Sequence, residues 1–157
     1  MDPGYDVKSD RLKSLLRQLK DAGHEVGLHP TYDAWNSSEL LEEQKKTLEE
    51  CLGSKVTHCR QHWLRFSWKD TWSCQAHAGL QQDSTLMFND RSGFRNSCAT
   101  SWKPWCELEE RPYAISSATS VLMDSHSYDY LEFSEKQRLE YLMFWVEECY
   151  EVYGSAF

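Results

Sequence analysis

Two histidines and an arginine stand where their side chains can do chemistry. His29 ends a short apolar segment, and Pro30 after it favours extended backbone at His29. His62 ends a second such segment, two residues after Arg60. Neighbouring parallel strands lie about 4.8 Å apart and their carboxyl ends share one edge of a sheet, so two such imidazoles can converge on one ion. The pattern therefore predicts a metal site with His29 and His62 as ligands.

Asp33 is the local carboxylate that could complete this site, four residues after His29. A His/His/Asp set with a position open for water suits zinc or a similar divalent cation. Such an ion acidifies its bound water and polarises a carbonyl, which is hydrolase chemistry. The alternative is that His29 and His62 are unconnected core or surface residues. Arg60 can act in the site, or it can serve only the fold, as one partner of a structural ion pair.

Alternating helices and strands must position these residues. Periodicity and caps predict four helices: 9–22, a second that follows possible caps at 36–38 and runs to about Leu52, a third capped by Ser67 and ended by Gly79, and a fourth capped by Ser134 and ended before Gly154. Three of them carry apolar stripes that are expected to pack inward: Leu12, Leu15, Leu16 and Leu19 in the first; Leu41, Leu48, Cys51 and Leu52 in the second; and Leu139, Leu142, Met143, Val146, Cys149, Tyr150 and Tyr153 in the fourth. Apolar runs and period-2 alternation predict four strands: 24–29, 56–64, 82–86 and 113–123. Between the last two strands, residues 88–112 are expected to form a long loop.

This order favours a parallel sheet with right-handed crossovers in an α/β fold. The chain has 157 residues, whereas a closed (β/α) barrel typically needs around 250 residues. We therefore expect about four parallel strands with flanking helices, as an open slice of a barrel or a small open sheet. Hydrophobic residues make up 40% of the chain, which is enough for one globular domain over residues 1–157.

Composition also argues against nucleic acids and membranes as binding partners. The net charge of -8 argues against nucleic acid, because no basic patch is available to neutralise phosphates. No apolar run approaches the roughly 18 residues of a membrane span. The first twenty residues are polar and carry no secretion signal, and the six cysteines form no Cys-x-x-Cys pair. We therefore expect reduced thiols and a cytoplasmic location, with no nucleic-acid or membrane partner.

Residues 23–32 read Gly-His-Glu-Val-Gly-Leu-His-Pro-Thr-Tyr. This stretch resembles the metal-binding motif of the polysaccharide deacetylase family, the chitin-deacetylase-like carbohydrate esterases. The nearest form is that of a bacterial branch whose motif ends His-Pro-Ser-Tyr. In this resemblance His29 takes the position of the first metal histidine. Asp33 stands where the family has its second histidine, so that ligand is replaced.

Three further segments resemble the same family in order and spacing. In residues 59–63, Arg60 matches a family arginine and Trp63 a family aromatic, while His62 replaces a proline. Residues 83–86 read Asp-Ser-Thr-Leu and residues 93–95 read Gly-Phe-Arg, similar to two segments of the same branch. The resemblance therefore covers nearly the whole chain, from about residue 5 to 154.

The resemblance implies a metal-dependent hydrolase that removes acetyl groups from carbohydrate. It implies that Arg60 orients a catalytic carboxylate, and the aromatic side chains of Tyr32 and Trp63 are candidates for stacking on the sugar. Asp83 and Thr85 could line the floor of the cleft or cap the loop that follows them.

Two motifs of the family have no counterpart here: the paired aspartates of its first strand and the histidine of its last strand. We therefore expect this sequence to be the interior of a longer deacetylase-like protein, inactive by itself and able to self-associate through open sheet edges. The alternative is a catalytically silent carbohydrate-binding or scaffolding module.

Overall fold

A small parallel sheet lies at the centre of the molecule. The computed structural model describes residues 4–154. Its strands are β1 (His58–Cys59), β2 (Gln82–Asp83), β3 (Trp105–Cys106), β4 (Arg111–Pro112) and β5 (Ser116–Ser117). The strands β1, β2 and β5 pair in that order, all parallel. Leu28 forms a single parallel bridge to Cys59 on the other side of β1. Four segments of the chain therefore run side by side in one direction.

Four helices accompany this sheet. They are α1 (Asp10–Asp21), α2 (Ser38–Leu52), α3 (Thr71–His77) and α4 (Glu135–Glu151). In α2, Ser37 Oγ accepts a hydrogen bond from the Leu40 N–H at 3.2 Å and caps the first turn. Gly53 ends the helix with φ 71°, in the left-handed region that favours glycine. The four side chains predicted to face the core are buried: Leu41, Leu48, Cys51 and Leu52.

Two helices leave apolar side chains in solvent. No residue of α1 is fully buried, and Leu15 and Leu19 are exposed. α4 begins at its predicted cap, where the Ser134 N–H donates to Gln137 Oε1 at 3.0 Å. Its predicted inward stripe is wrong, because Cys149 is the only buried residue of the helix. The exposed members of that stripe are Leu139, Leu142, Met143, Val146, Tyr150 and Tyr153.

The predicted strands have the right order and direction but the wrong length. Segment 24–29 keeps one bridge, at Leu28, and segment 56–64 keeps β1. The rest of the second segment bends into a 3-10 turn at His62–Leu64, where Trp63 and Leu64 have φ values of 56° and 49°. The predicted loop 88–112 contains the antiparallel pair β3–β4. A strand extends only as far as its backbone runs beside that of a neighbouring strand and bonds to it. The sequence of one segment does not specify how far its neighbour follows it.

The core fills the space between the sheet and its helices. Its buried side chains come from α2, α3 and the segments of the sheet, among them Leu28, Leu41, Val56, Trp72, Leu80, Leu86 and Ile115. All six cysteines are free thiols, four of them buried. Within residues 4–154, no helix is long and apolar enough to cross a membrane.

Candidate active site

The sheet brings His29 and His62 together at its carboxyl edge. Leu28 N–H donates to the His58 carbonyl at 2.8 Å, and Arg60 N–H donates to the Leu28 carbonyl at 3.0 Å. These bonds fix the two segments in register, so that His29 follows the bridge and His62 opens the turn after β1. The centroids of the two imidazole rings are 5.2 Å apart, with the ring planes tilted by 35°.

The surroundings of His29 favour its neutral form. His29 is partly exposed to solvent. Partial burial is the main cause that lowers the pKa of His29, and the positive charges of His62 and Arg60 act in the same direction. A hydrogen bond with the Arg60 backbone opposes them. Because only neutral imidazole binds a metal, this environment favours the ligand form.

Asp33 is held by a different partner. Arg65 Nη1 donates to Asp33 Oδ1 at 3.1 Å and to the Tyr32 carbonyl at 2.9 Å. The same guanidinium lies 4.0 Å from the centroid of the Tyr32 ring and 5.0 Å from that of Trp35. Arg65 therefore ties the loop after His29 to the turn that contains His62.

A third metal ligand is not in place around the histidine pair. Across residues 4–154, no group of three His, Cys, Asp or Glu side chains is arranged to hold a metal ion. The two imidazoles fit two positions of a zinc site by their chemistry and their proximity. The role of Asp33 as third ligand stays a prediction, since its carboxylate would have to leave Arg65.

Two aromatic residues are associated with the pair: Tyr32 contacts it, and Trp63 directly follows His62 in the chain. The Tyr32 ring meets His62 edge-on, with centroids 6.3 Å apart, and Tyr32 is 40% exposed. Trp63 is 59% exposed and has a left-handed backbone, which costs a residue with a side chain about 1–3 kcal/mol. Asn89 Nδ2 donates to the Trp63 carbonyl at 3.2 Å and supports this conformation. Both rings are open to a ligand, and stacking on a sugar stays a prediction.

A groove adjoins the histidine pair and was not predicted from the sequence. It has a volume of about 360 Å³, within the range of small-molecule sites. Its walls come from α1, α2 and the segment 26–31, with Leu16 and Leu48 among the apolar residues and Glu43 and Gln44 among the polar ones. The sequence pattern assigned the apolar side chains of α1 to the core, so it gave no signal for an open groove there.

Asp83 and Thr85 lie inside the molecule rather than in a cleft. Both are fully buried, and the Thr85 hydroxyl and N–H donate to Asp83 Oδ1. Gln75 Nε2 donates to the same oxygen at 2.9 Å, and Trp72 Nε1 donates to Oδ2 at 3.2 Å. Burial raises the pKa of Asp83, while these four hydrogen bonds act to lower it. The arrangement matches the second alternative, a cap on the chain after β2, and neither side chain reaches a ligand as placed.

Arg60 contacts hydroxyl groups rather than a carboxylate. Its Nε donates to Ser84 Oγ and its Nη2 to Ser120 Oγ, both at 3.1 Å. In the described part of the chain it forms no ion pair, so the alternative of a structural ion pair is not seen there, although the charge of Asp83 acts on the guanidinium. The two serines were not predicted. Ser84 directly follows β2, which places it at the same edge, whereas Ser120 becomes a neighbour only once the strand order is known.

Comparison with solved structures gives a likeness at the level of the fold. No protein-family model matches the sequence, and no curated protein does. A crystal structure from Mycobacterium smegmatis, described as a "putative polysaccharide deacetylase", matches with a TM-score of 0.53 and 19% sequence identity. The two share a fold. The match covers 72% of this chain and 37% of that chain. At this identity the likeness concerns the fold alone, and it supports a mixed α/β architecture with a small parallel sheet.

Proposed function

We propose that this chain is part of a metal-dependent hydrolase that removes acetyl groups from carbohydrate, in the manner of polysaccharide deacetylases. One observation carries the proposal: His29 and His62 lie with ring centroids 5.2 Å apart at the carboxyl edge of a parallel sheet. The fold shared with the Mycobacterium smegmatis protein supports it. We further propose that the sheet forms a slice of a (β/α) barrel.

In this proposal His29 and His62 hold one divalent cation, and zinc suits the imidazole donors best. When bound, such a cation lowers the pKa of a water molecule and polarises the acetyl carbonyl. A carboxylate completes the ligand set, supplied by Asp33 after release from Arg65 or by a residue outside the described part of the chain. The lowered pKa of His29, caused mainly by partial burial, favours the neutral imidazole that a metal binds.

The other predicted residues bind the sugar or orient the general base. The exposed side chain of Tyr32 contacts His62, and that of Trp63, the next residue after His62, is exposed as well, so a sugar ring can stack on either. Arg60 orients a carboxylate that acts as general base, since a positioned guanidinium favours the ionised form of its partner. The resulting reaction is hydrolysis of an acetamide or acetyl ester, which releases acetate.

The test is acetate release from acetylated chito-oligosaccharides by the full-length protein that carries this chain, with and without added zinc. We expect zinc-dependent release that His29→Ala abolishes. His24→Ala is the matched control, because His24 is exposed and lies outside the pair. Full activity of His29→Ala would contradict the proposal.

The exposed aromatics favour a second candidate, a catalytically silent carbohydrate-binding module. Tyr32 and Trp63 are available for stacking while Asp33 is engaged by Arg65. This candidate predicts that acetylated oligosaccharides bind and that Trp63→Ala weakens their binding. It also predicts that no acetate appears at any zinc concentration, which separates it from the hydrolase.

A further inference from the structure

The exposed side of α4 carries a regular apolar seam. Its members follow one another at spacings of four, three and four residues, and their exposed fractions lie between 44% and 79%: Leu139, Met143, Val146 and Tyr150. A spacing that averages 3.5 residues sets side chains on one line along a helix, which is typical of helices that pair side by side. The α4 seam therefore indicates another helix as the element that covers it.

The helix α1 carries a second seam of the same kind. Its members follow one another at spacings of three, four and three residues, the last of them directly after the helix: Leu12, Leu15, Leu19 and Ala22. Leu12 is half-buried, and the other three are exposed. Leu16 packs against the core beside this seam and holds α1 on the molecule. The α1 seam is therefore open to a partner without any change in the fold.

The charges that border the two seams have opposite signs. The exposed Arg11 directly precedes the α1 seam, whereas Glu140 and Glu147 each directly follow a residue of the α4 seam. Within residues 4–154, Arg11 and Glu147 form no ion pair. As a whole, α1 carries four cations and two carboxylates, and α4 carries five carboxylates and two cations. Pairing of α4 with α4 brings glutamates together, whereas pairing of α1 with α4 brings opposite charges together.

We propose that α1 of one copy of this chain packs on α4 of a second copy, with the two helices parallel. The register that aligns the seams has three layers: Leu12 with Met143, Leu15 with Val146, and Leu19 with Tyr150. Arg11 precedes the first layer and Glu147 follows the second, which are the positions between which parallel paired helices form ion pairs. The register therefore gives both unpaired charges a partner.

This contact is head to tail, because each copy contributes a different surface. Each chain in a pair keeps one free seam, so further copies can add at both ends. A contact through one helix of 12 residues buries little area, and we expect it to be weak. The inference concerns helices away from the histidine pair and does not rest on the proposed hydrolase activity.

Two variants of the chain, each with one seam blocked, test the inference. Leu15→Glu with Leu19→Glu blocks α1, and Met143→Glu with Val146→Glu blocks α4. Sedimentation equilibrium compares each variant alone with their equimolar mixture. We expect the two variants to pair with each other at least about tenfold more tightly than either pairs with itself, because only the mixture offers one intact α1 and one intact α4. Contacts through sheet edges contribute equally to all three pairings.

A charge swap in the same mixture tests the register. Arg11→Glu, added to the α4-blocked variant, should weaken the mixed pairing about threefold, because an exposed ion pair contributes modestly. Glu147→Arg, added to the α1-blocked variant, should restore it. Glu148→Arg is the matched control, since it makes the same change of charge one residue further along, on a side of α4 away from the seam. We expect this control to restore nothing.

Three results would overturn the inference. Self-association of the α1-blocked variant as tight as the mixed pairing would mean that α4 meets α4. The same result for the α4-blocked variant would mean that α1 meets α1. Equal rescue by Glu147→Arg and Glu148→Arg would remove the register. Circular dichroism checks that each variant is folded, and the milder single variants Leu15→Gln and Val146→Gln replace any double variant that is not.

Discussion

His29 lies where several groups act on its charge at once. Partial burial and the positive charge of His62 lower the pKa of His29, whereas the hydrogen bond with the Arg60 backbone raises it. The net result is a lowered pKa. A lowered pKa in the folded protein means that the unfolded chain takes up the proton first as the pH falls. The contribution of His29 to stability is therefore constant above its ordinary pKa of 6.5 and declines as the pH drops below that value.

We predict that NMR titration will place the pKa of His29 in the folded protein below 6.5, and below its value in the same chain unfolded by urea. His62→Gln should raise the pKa of His29 slightly, because it removes repulsion but leaves most of the burial. His29→Gln should flatten the dependence of the unfolding free energy on pH between about 5 and 7. A pKa above 6.5 in the folded state would mean that the ring is not desolvated as described.

Between elements, the Asp83 carboxylate is the principal polar link. It joins the end of β2 to α3 through Trp72 and Gln75, and to the chain after β2 through Thr85. A fully buried carboxylate is tolerated because every one of these groups donates to it. Removing it would leave several donors buried without an acceptor.

We predict that Asp83→Ala lowers the free energy of unfolding by about 3–5 kcal/mol, the range for removing one member of a buried charged network. Urea denaturation followed by tryptophan fluorescence measures it. Gln82→Ala is the control on the same strand, with its side chain at the margin of the core, and should cost less than about 1 kcal/mol. Equal losses for the two variants would show that the network adds nothing beyond the strand itself.

The sequence predicted some of these features and not others, for physical reasons. The bounds and the buried face of α2 follow from signals within the segment itself. These are a serine cap, a closing glycine and a helical period of apolar residues. The convergence of His29 and His62 follows from the parallel order of two strands. Strand lengths and the capture of Asp33 by Arg65 depend on contacts between distant segments, which no local pattern encodes.

For the molecule as a whole, the uncovered faces of α1 and α4 are the most unusual feature. Leu142 is 44% exposed and Val146 is 44% exposed, on a helix with one buried residue. Apolar patches of this kind on a small protein mark contact surfaces or aggregation sites. Self-association was expected at the sheet edges, and these helix faces add a second surface for it.

We predict that the isolated chain self-associates at micromolar concentration. Sedimentation velocity should show species larger than the monomer, and the double variant Leu142→Glu and Val146→Glu should shift them toward monomer. Leu108→Glu is the control, since Leu108 is 97% exposed but lies in the connection between β3 and β4, outside α4. A monodisperse wild-type monomer would contradict the prediction.

Zinc titration of this chain by calorimetry tests the central claim, that His29 and His62 form a metal site. We predict one binding event, weaker than in a three-ligand enzyme because only two imidazoles hold the ion. His29→Ala should abolish it, His62→Ala should nearly do so, and the exposed His77→Ala should leave it unchanged. Asp33→Ala should weaken binding only if Asp33 leaves Arg65 to complete the site. Identical heats for the wild type and His29→Ala would contradict the claim and remove the chemical basis of the proposed hydrolase.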